Sequence, residues 1–341
     1  MSKPKKPPLV RLSDLVPNQP AVFFALLAEK THKTTRDGKA YYTCKFRDAR
    51  RTLAAAPVWA DGPLYEECHA HWQPGQHFKI RGAMIDHERY GAQLEVEQIR
   101  PVEERDRGDG FTELDLVERS RTDPEQAFAE LEALVAAEVN DPPLRTLVSN
   151  ILRANAAELK ALPASARTYY PFAGGWLEHT LSVARNCVFL ADRYAVQFPD
   201  LRPPLNRDLV VAGAVLHDIG RLKELDPAPP GAVPKLGVDG ELFGHLLLGR
   251  DLLRDAARDV PDLHPELLKL LEHLVYTHLK TPEWGSPKLP AIPEVLLVHH
   301  ADDLDAKFEM YARCLTRDTA DGPFTDSDPV LKRALYKGRQ V

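Results

Sequence analysis

The spacing of apolar residues in this 341-residue chain changes period once, near Asp123-Pro124, and a chain with that change folds as two units of different kinds. Before it, five runs alternate apolar with polar residues at period 2, the spacing of half-buried strands: VFFALLAEKT (22–31), AYYTCKFRD (40–48), TLAAAPVWAD (52–61), QHFKIRGAMID (76–86) and AQLEVEQIRPV (92–102). Turn formers separate them at Asp37-Gly38, Asp61-Gly62-Pro63, Pro74-Gly75 and Gly91. Five strands within about 90 residues predict a small barrel, with the OB-fold first among candidates. After the change, capping residues and 3.6-residue spacing predict helices over 124–139, 143–162, 175–198, 206–222, 240–258, 264–280 and 292–315. The expected fold class is α+β and multidomain: a disordered basic tail at 1–9, a five-stranded OB-fold barrel at 10–103, a charged linker at 104–123, an all-α helical bundle at 124–316 and a C-terminal tail at 317–341. The Pro/Gly-rich stretch at 226–240 is an excursion between two helices.

Composition excludes several classes. No apolar run approaches the roughly 20 residues that span a bilayer, so no membrane partner is expected. Cys44, Cys68, Cys187 and Cys314 are scattered without a C-x-x-C pair, which suits a reducing, cytoplasmic setting and argues against a thiolate zinc site. The net charge of −6 hides an asymmetry: residues 1–105 carry 17 Lys+Arg against 13 Asp+Glu, so the acidic excess lies wholly in the remainder. A basic N-terminal module fits a polyanionic partner. A homo-oligomer is compatible with the sequence.

Alternation sorts the strand faces. In the second strand Tyr42, Cys44 and Phe46 oppose Tyr41, Thr43, Lys45 and Arg47; in the fourth, Phe78, Ile80, Gly82 and Met84 oppose His77, Lys79 and Arg81. Cations for phosphates and a ring for base stacking are what a single-stranded nucleic acid needs, so Tyr41, Lys45, Arg47, Lys79 and Arg81 are the expected contacts for single-stranded RNA or DNA. Glu95 and Glu97 on the last strand interrupt the basic patch. A solvated strand face that happens to be basic is the competing explanation.

In the helical half, VAGAVLHDIGRLKEL (211–225) ends an apolar run in His217 and Asp218, followed by Gly220 and Arg221. On a helix these neighbours point about 100° apart, so a shared cation would lie on the flank between them. His179, His245, His273, His278, His299 and Asp302 lie where helices or helix ends would hold them near this pair. Each histidine alone is more often a hydrogen-bonded core residue than a ligand. No G-x-S-x-G elbow, P-loop or G-x-G-x-x-G competes with them.

The order His179, His217-Asp218, Asp302 is similar to the HD-domain metal-dependent phosphohydrolases, and His245 and His278 resemble the additional ligands of members that hold two metals. The blocks GGWLEHTLSVA, LHDIGRLKEL, GHLLLG, EHLVYTHLKTPEWGSPK and HHADDLDAK resemble the YhaM-like 3′-5′ exoribonucleases, which join an N-terminal OB-fold to an HD domain. The resemblance spans about residues 15–316 and is most specific in the helical half. It implies that the bundle is an HD domain and that His179, His217, Asp218 and Asp302 hold a first metal. Asp218 would bridge to a second metal held by His245 and His278. Three departures bear on this. Leu279-Lys280 stand where the family reads HG, Arg221 stands for lysine, and Tyr169-Tyr170 precede the double glycine where histidines are usual. His273, rotated by about 140° from His278 on an ideal helix, is expected to support the site and His299 to orient Asp302, with His264 and His300 structural.

Imidazole and carboxylate without thiolate favour one or two divalent ions of the Mn²⁺, Mg²⁺ or Fe²⁺ kind, Mn²⁺ first. Such ions clamp a phosphodiester and activate water, with no protein nucleophile. Asp218 and Arg221, with Lys280 and Lys307 for phosphate charge, are the expected catalytic residues. The resulting expectation is a 3′-5′ exoribonuclease that releases nucleoside 5′-monophosphates. Two alternatives stay open at this point: an HD-type nucleotide or cyclic-dinucleotide phosphohydrolase, and a non-catalytic nucleic-acid-binding protein whose metal site has decayed.

Overall fold

A computed structural model describes residues 8–50, 54–87, 91–227, 234–318, 320 and 322–338. The expected N-terminal tail through residue 7, the middle of the Pro/Gly-rich excursion (228–233) and the last three residues lie outside the described residues. The chain divides into two compact units, with the boundary between Glu118 and Arg119. Among the described residues no helix is long and apolar enough to cross a membrane.

The first unit is a five-stranded antiparallel sheet of β1 (Ala21–Thr34), β2 (Ala40–Arg47), β3 (Ala54–Trp59), β4 (His77–His87) and β5 (Gly91–Pro101), in the order β3-β2-β1-β4-β5. The edge strands β3 and β5 also approach each other, and helix α1 (Tyr65–His71) joins β3 to β4. That is the strand order and helix placement of an OB barrel. Inside it, Phe23, Leu27, Phe46, Phe78, Ile80 and Trp72 form the core.

Strand β1 reads AVFFALLA because both of its faces are covered. Phe23, Ala25 and Leu27 face the barrel core, while Phe24 and Leu26 pack with Phe111 and Leu116. The segment expected as a linker is therefore, through Glu118, an outer layer of the first unit. It is pinned by Asp106, whose fully buried carboxylate accepts from both terminal nitrogens of Arg100 at 2.6 and 2.7 Å and from Lys79 at 3.0 Å. A register shift between Leu27 and Glu29 turns Lys30 inward. Its ammonium donates to the carbonyls of Cys68 (2.6 Å), His69 (3.2 Å) and Trp72 (3.0 Å), satisfying the orphan carbonyls at the end of α1.

The second unit is helical: α2 (Pro124–Glu138), α3 (Pro142–Ala154), α4 (Ala156–Ala161), α5 (Gly175–Gln197), α6 (Arg207–Leu216), α7 (Arg221–Glu224), α8 (Val238–Ala257), α9 (Pro265–Thr277) and α10 (Pro293–Arg317). Asp123 and Asp141 cap α2 and α3 by accepting backbone N–H bonds, each followed by a proline in the first turn. Helix α6 is buried over Leu209–Leu216, which is why its sequence is apolar all round.

Two expected helices are broken. The segment 143–162 breaks at Asn155, whose side chain donates to the Ile151 carbonyl at 2.7 Å. The segment 206–222 ends at Leu216, so His217 and Asp218 lie in the turn past the helix rather than side by side on it. After α10, the expected C-terminal tail folds back, with bridges pairing Phe324 with Tyr336 and Asp328 with Arg333, and with Thr325 buried.

Candidate metal centre and nucleic-acid interface

Two helix ends, one turn and three helices bring the expected ligands together. His217 follows α6, Asp218 sits in the adjoining turn, His278 follows α9, His179 lies in the second turn of α5, His245 lies in α8 and Asp302 in α10. Two glycines make this possible, one by close approach and one by its backbone angle. A Cβ at Gly220 would collide with the carbonyl of His245, so only glycine lets the turn carrying Asp218 cross α8 at this depth. Just before His245, Gly244 has φ +69 and breaks the helical path of α8.

The ligand atoms form two groups, His179 with His217 and Asp302, and Asp218 with His245 and His278, each with its atoms within 4.8 Å of one another and every residue buried. In the first, His179 Nε2 lies 3.2 Å from Asp302 Oδ1 and 3.4 Å from His217 Nε2. In the second, Asp218 Oδ1 lies 3.2 Å from His245 Nε2 and 3.6 Å from His278 Nε2. The other oxygen of Asp218 is 3.9 Å from His217 Nε2, so one carboxylate stands between the groups.

The far nitrogen of every one of these imidazoles is already engaged. His217 Nδ1 donates to the Ala214 carbonyl at 2.8 Å and His278 Nδ1 to the Val275 carbonyl at 2.9 Å. His245 Nδ1 meets Glu224 Oε1 at 3.0 Å, and His179 Nδ1 meets Asp305 Oδ2 at 2.8 Å. A carbonyl only accepts, so His217 and His278 carry their proton on Nδ1 and turn a bare Nε2 lone pair inward. Asp218 Oδ1, His245 Nε2 and His278 Nε2 are buried and lack a hydrogen-bond partner. Buried orphan acceptors facing one another are costly unless a cation lies among them, and the donor set suits a divalent metal.

The field at the site is negative. Burial lowers the His217 imidazole to about 4. Burial also works against a charged His179, but Asp302 and Asp305 outweigh it and raise that imidazole to about 9. Burial opposes ionisation of Asp218, yet Arg221 and the surrounding imidazoles hold its carboxyl well below the usual range. Carboxylates that favour a proton on His179 favour a metal cation there equally.

Arg221 is where it was expected, but its bonds go to the site's own residues: Asp218 Oδ2 (3.4 Å), the Tyr169 hydroxyl (3.3 Å) and Glu224. Lys280, at φ +71, stands two residues after His278, past Leu279. Lys307 is not in the cluster; its ammonium bonds Asp303 at 2.7 Å. His273 accepts from the Ala291 amide through Nε2. His299 does not orient Asp302, because its Nδ1 donates to the His278 carbonyl at 2.8 Å, one step behind a ligand. His264 accepts at the start of α9.

Three residues of the site were not expected. Tyr169 donates its hydroxyl to Asp218 Oδ2 at 3.0 Å, while Glu224 and Asp305 hold His245 and His179. The signal for Tyr169 was present, since it replaces a usual histidine just ahead of the double glycine. Nothing local marks Glu224 and Asp305 as partners, because their partners come from other helices.

The expected basic face of the barrel is corrected by its ion pairs. Arg47 is buried. Lys79 is committed to Asp106 at 3.0 Å and Asp109 at 2.6 Å, Lys45 pairs with Glu29 at 2.9 Å, and Arg81 pairs with Glu97 at 2.8 Å. Alternation within a strand sorts faces but does not see the carboxylates that neighbouring segments place opposite. Tyr41 does remain at the surface, stacked at 4.7 Å on Trp59, which is 39% exposed. Trp59 was missed, although its strand spaces Ala55, Pro57 and Trp59 on one face.

The helical unit carries an HD domain: that family matches residues 176–307, a span containing all six ligand residues. Similarity runs through the rest of the chain as well. The 3′-5′ exoribonuclease YhaM of Bacillus velezensis is 30% identical over 318 residues, covering 92% of this chain and 93% of that protein. Those of Bacillus subtilis and Oceanobacillus iheyensis are each 29% identical, covering 92% of this chain and 93% and 92% of theirs. The chain belongs to the YhaM family of 3′-5′ exoribonucleases.

Proposed function

We infer that this protein is a metal-dependent 3′-5′ exoribonuclease that removes nucleoside 5′-monophosphates from single-stranded RNA. The observation that supports it most is the convergence of four imidazole Nε2 atoms and two carboxylates in one buried place, in a chain of this family. His179, His217 and Asp302 would hold one metal and His245 and His278 a second, with Asp218 shared. Divalent cations there supply Lewis acidity at the scissile phosphodiester and activation of water. The imidazole-carboxylate donor set favours Mn²⁺, with Mg²⁺ or Fe²⁺ as alternatives.

The chain's own groups prepare that site. Arg221 and Tyr169 hold Asp218 Oδ2, which turns Oδ1 toward His245 and His278. Glu224 and Asp305 fix the rings of His245 and His179. Lys280, two residues past His278, would offset phosphate charge, with Lys307 farther out and paired with Asp303. In the first unit the Tyr41-Trp59 pair offers a stacking surface for bases of a single strand. In this reading the enzyme works in the cytoplasm, where its four free cysteines stay reduced.

The test is incubation with Mn²⁺ of one oligoribonucleotide labelled at its 5′ end and another labelled at its 3′ end, with an oligodeoxyribonucleotide alongside. The 5′ label should move down a ladder one nucleotide at a time, and the 3′ label should appear at once as mononucleotide. A 3′-labelled product longer than a mononucleotide, a single 5′-labelled product in place of the ladder, or no cleavage would contradict the reading.

A further inference from the structure

Trp284 is half exposed at 50%, yet it is held in place. Its turn, Pro282–Trp284, is closed by the Gly285 and Ser286 amides, which donate to the Pro282 and Thr281 carbonyls, and Ser286 Oγ, buried, donates to the Lys288 carbonyl at 2.7 Å. The indole lies 5.6 Å from the His299 ring at 30°, a stacked arrangement. His299 in turn bonds the carbonyl of His278, whose Nε2 faces Asp218 Oδ1 at 3.6 Å. Two contacts therefore tie an exposed tryptophan to a candidate metal ligand. One cation sits on it: Lys307 Nζ lies 5.1 Å from the indole centroid, half exposed and paired with Asp303, and Lys280, with no hydrogen bond or ion pair of its side chain among the described residues, stands two residues ahead of the turn in sequence. One part of the indole packs on His299, and half of its surface stays open to solvent beside Lys307. A strand passing the site brings bases that need an aromatic surface and phosphates that need cations.

We propose that Trp284 is the stacking platform for a nucleobase of the strand whose phosphodiester is cleaved at the metal centre, with Lys280 and Lys307 meeting the phosphates beside it. This rests on the exoribonuclease reading above. It makes Trp284 a substrate-binding residue supplied by the HD unit itself, separate from the barrel's Tyr41-Trp59 pair.

The test combines a substitution with a substrate change. Trp284→Ala should raise KM for an oligoribonucleotide about tenfold, within the range that base stacking supports, with a smaller change in kcat, and Trp284→Phe should recover most of the loss. Removing the base at one of the last three 3′ positions should raise the wild-type KM similarly at one of them. There, the abasic substrate and Trp284→Ala together should cost no more than either alone. A second readout needs no catalysis. In EDTA, titration with oligoadenylate should quench the tryptophan emission of the wild-type protein more than that of Trp284→Phe. Multiplying losses in the cycle, a fall confined to kcat, or equal quenching in the two proteins would overturn the proposal. If the wild-type enzyme cleaves no RNA, the exoribonuclease reading fails, and the quenching comparison still decides whether Trp284 binds a strand.

Discussion

His217 and His278 make the same bond at the ends of two different helices. Each is the residue after the last helical turn, and each gives its Nδ1 proton to the carbonyl three residues back, Ala214 at 2.8 Å and Val275 at 2.9 Å. One hydrogen bond thereby satisfies an orphan helix carbonyl, fixes the tautomer and aims the Nε2 lone pair. Their rings are 5.1 Å apart and nearly perpendicular, yet they serve different ligand groups. Replacing one should therefore empty one site and spare the other. In His278→Ala, elemental analysis after dialysis against Mn²⁺ should find one metal per chain where the unmodified protein holds two. Two metals in the variant would separate His278 from the centre.

The carboxylates behind the proposed ligands would set how tightly a metal is held. Glu224 supports His245 and Asp305 supports His179, and losing partners of this kind weakens metal binding about 10- to 100-fold. Glu224→Gln keeps the shape and removes the charge. It should raise the Mn²⁺ concentration for half-maximal activity by about that factor, while activity at saturating Mn²⁺ largely returns. An unchanged Mn²⁺ dependence would show that Glu224 serves only Arg221.

In the proposed reading the barrel contributes to strand binding through aromatic rings more than through ions. Lys45, Lys79 and Arg81 already face carboxylates, whereas the Tyr41-Trp59 pair is exposed on one ring. Trp59→Ala should weaken binding of single-stranded RNA by ~1–3 kcal/mol per base stacked. Because no cation is removed, the slope of log affinity against log salt should stay as it is. A flattened slope in Trp59→Ala would point to the cations after all.

Much of this was legible in the chain because it is local. Period-2 runs broken by Asp-Gly and Pro-Gly became the five strands, and Asp123-Pro124 became a capped helix start, since both depend on neighbours in sequence. The ligands were legible by residue type and order. Their geometry was not: His217 and Asp218 fall beyond α6 because Gly220 lets α8 cross there, a tertiary fact with no local trace. Glu224 and Asp305 escaped notice for the same reason, whereas Tyr169 stood out as a departure whose role only the contact with Asp218 gives. The barrel face departs from its expectation in two ways: Arg47 is buried, and Glu29 and Asp106 reach Lys45 and Lys79 from other segments, as the already noted Glu97 reaches Arg81.

The central claim is that one carboxylate, Asp218, joins two metal-ligand groups into a single hydrolytic site. It is tested most directly by Asp218→Asn, which keeps the side chain's size and removes its charge. With 3′-labelled oligoribonucleotide and saturating Mn²⁺, release of labelled nucleoside 5′-monophosphate should fall by at least about a thousandfold, the scale of losing a principal electrostatic element of a site. Binding of the same strand in EDTA should persist. Release at the wild-type rate from Asp218→Asn would contradict the account.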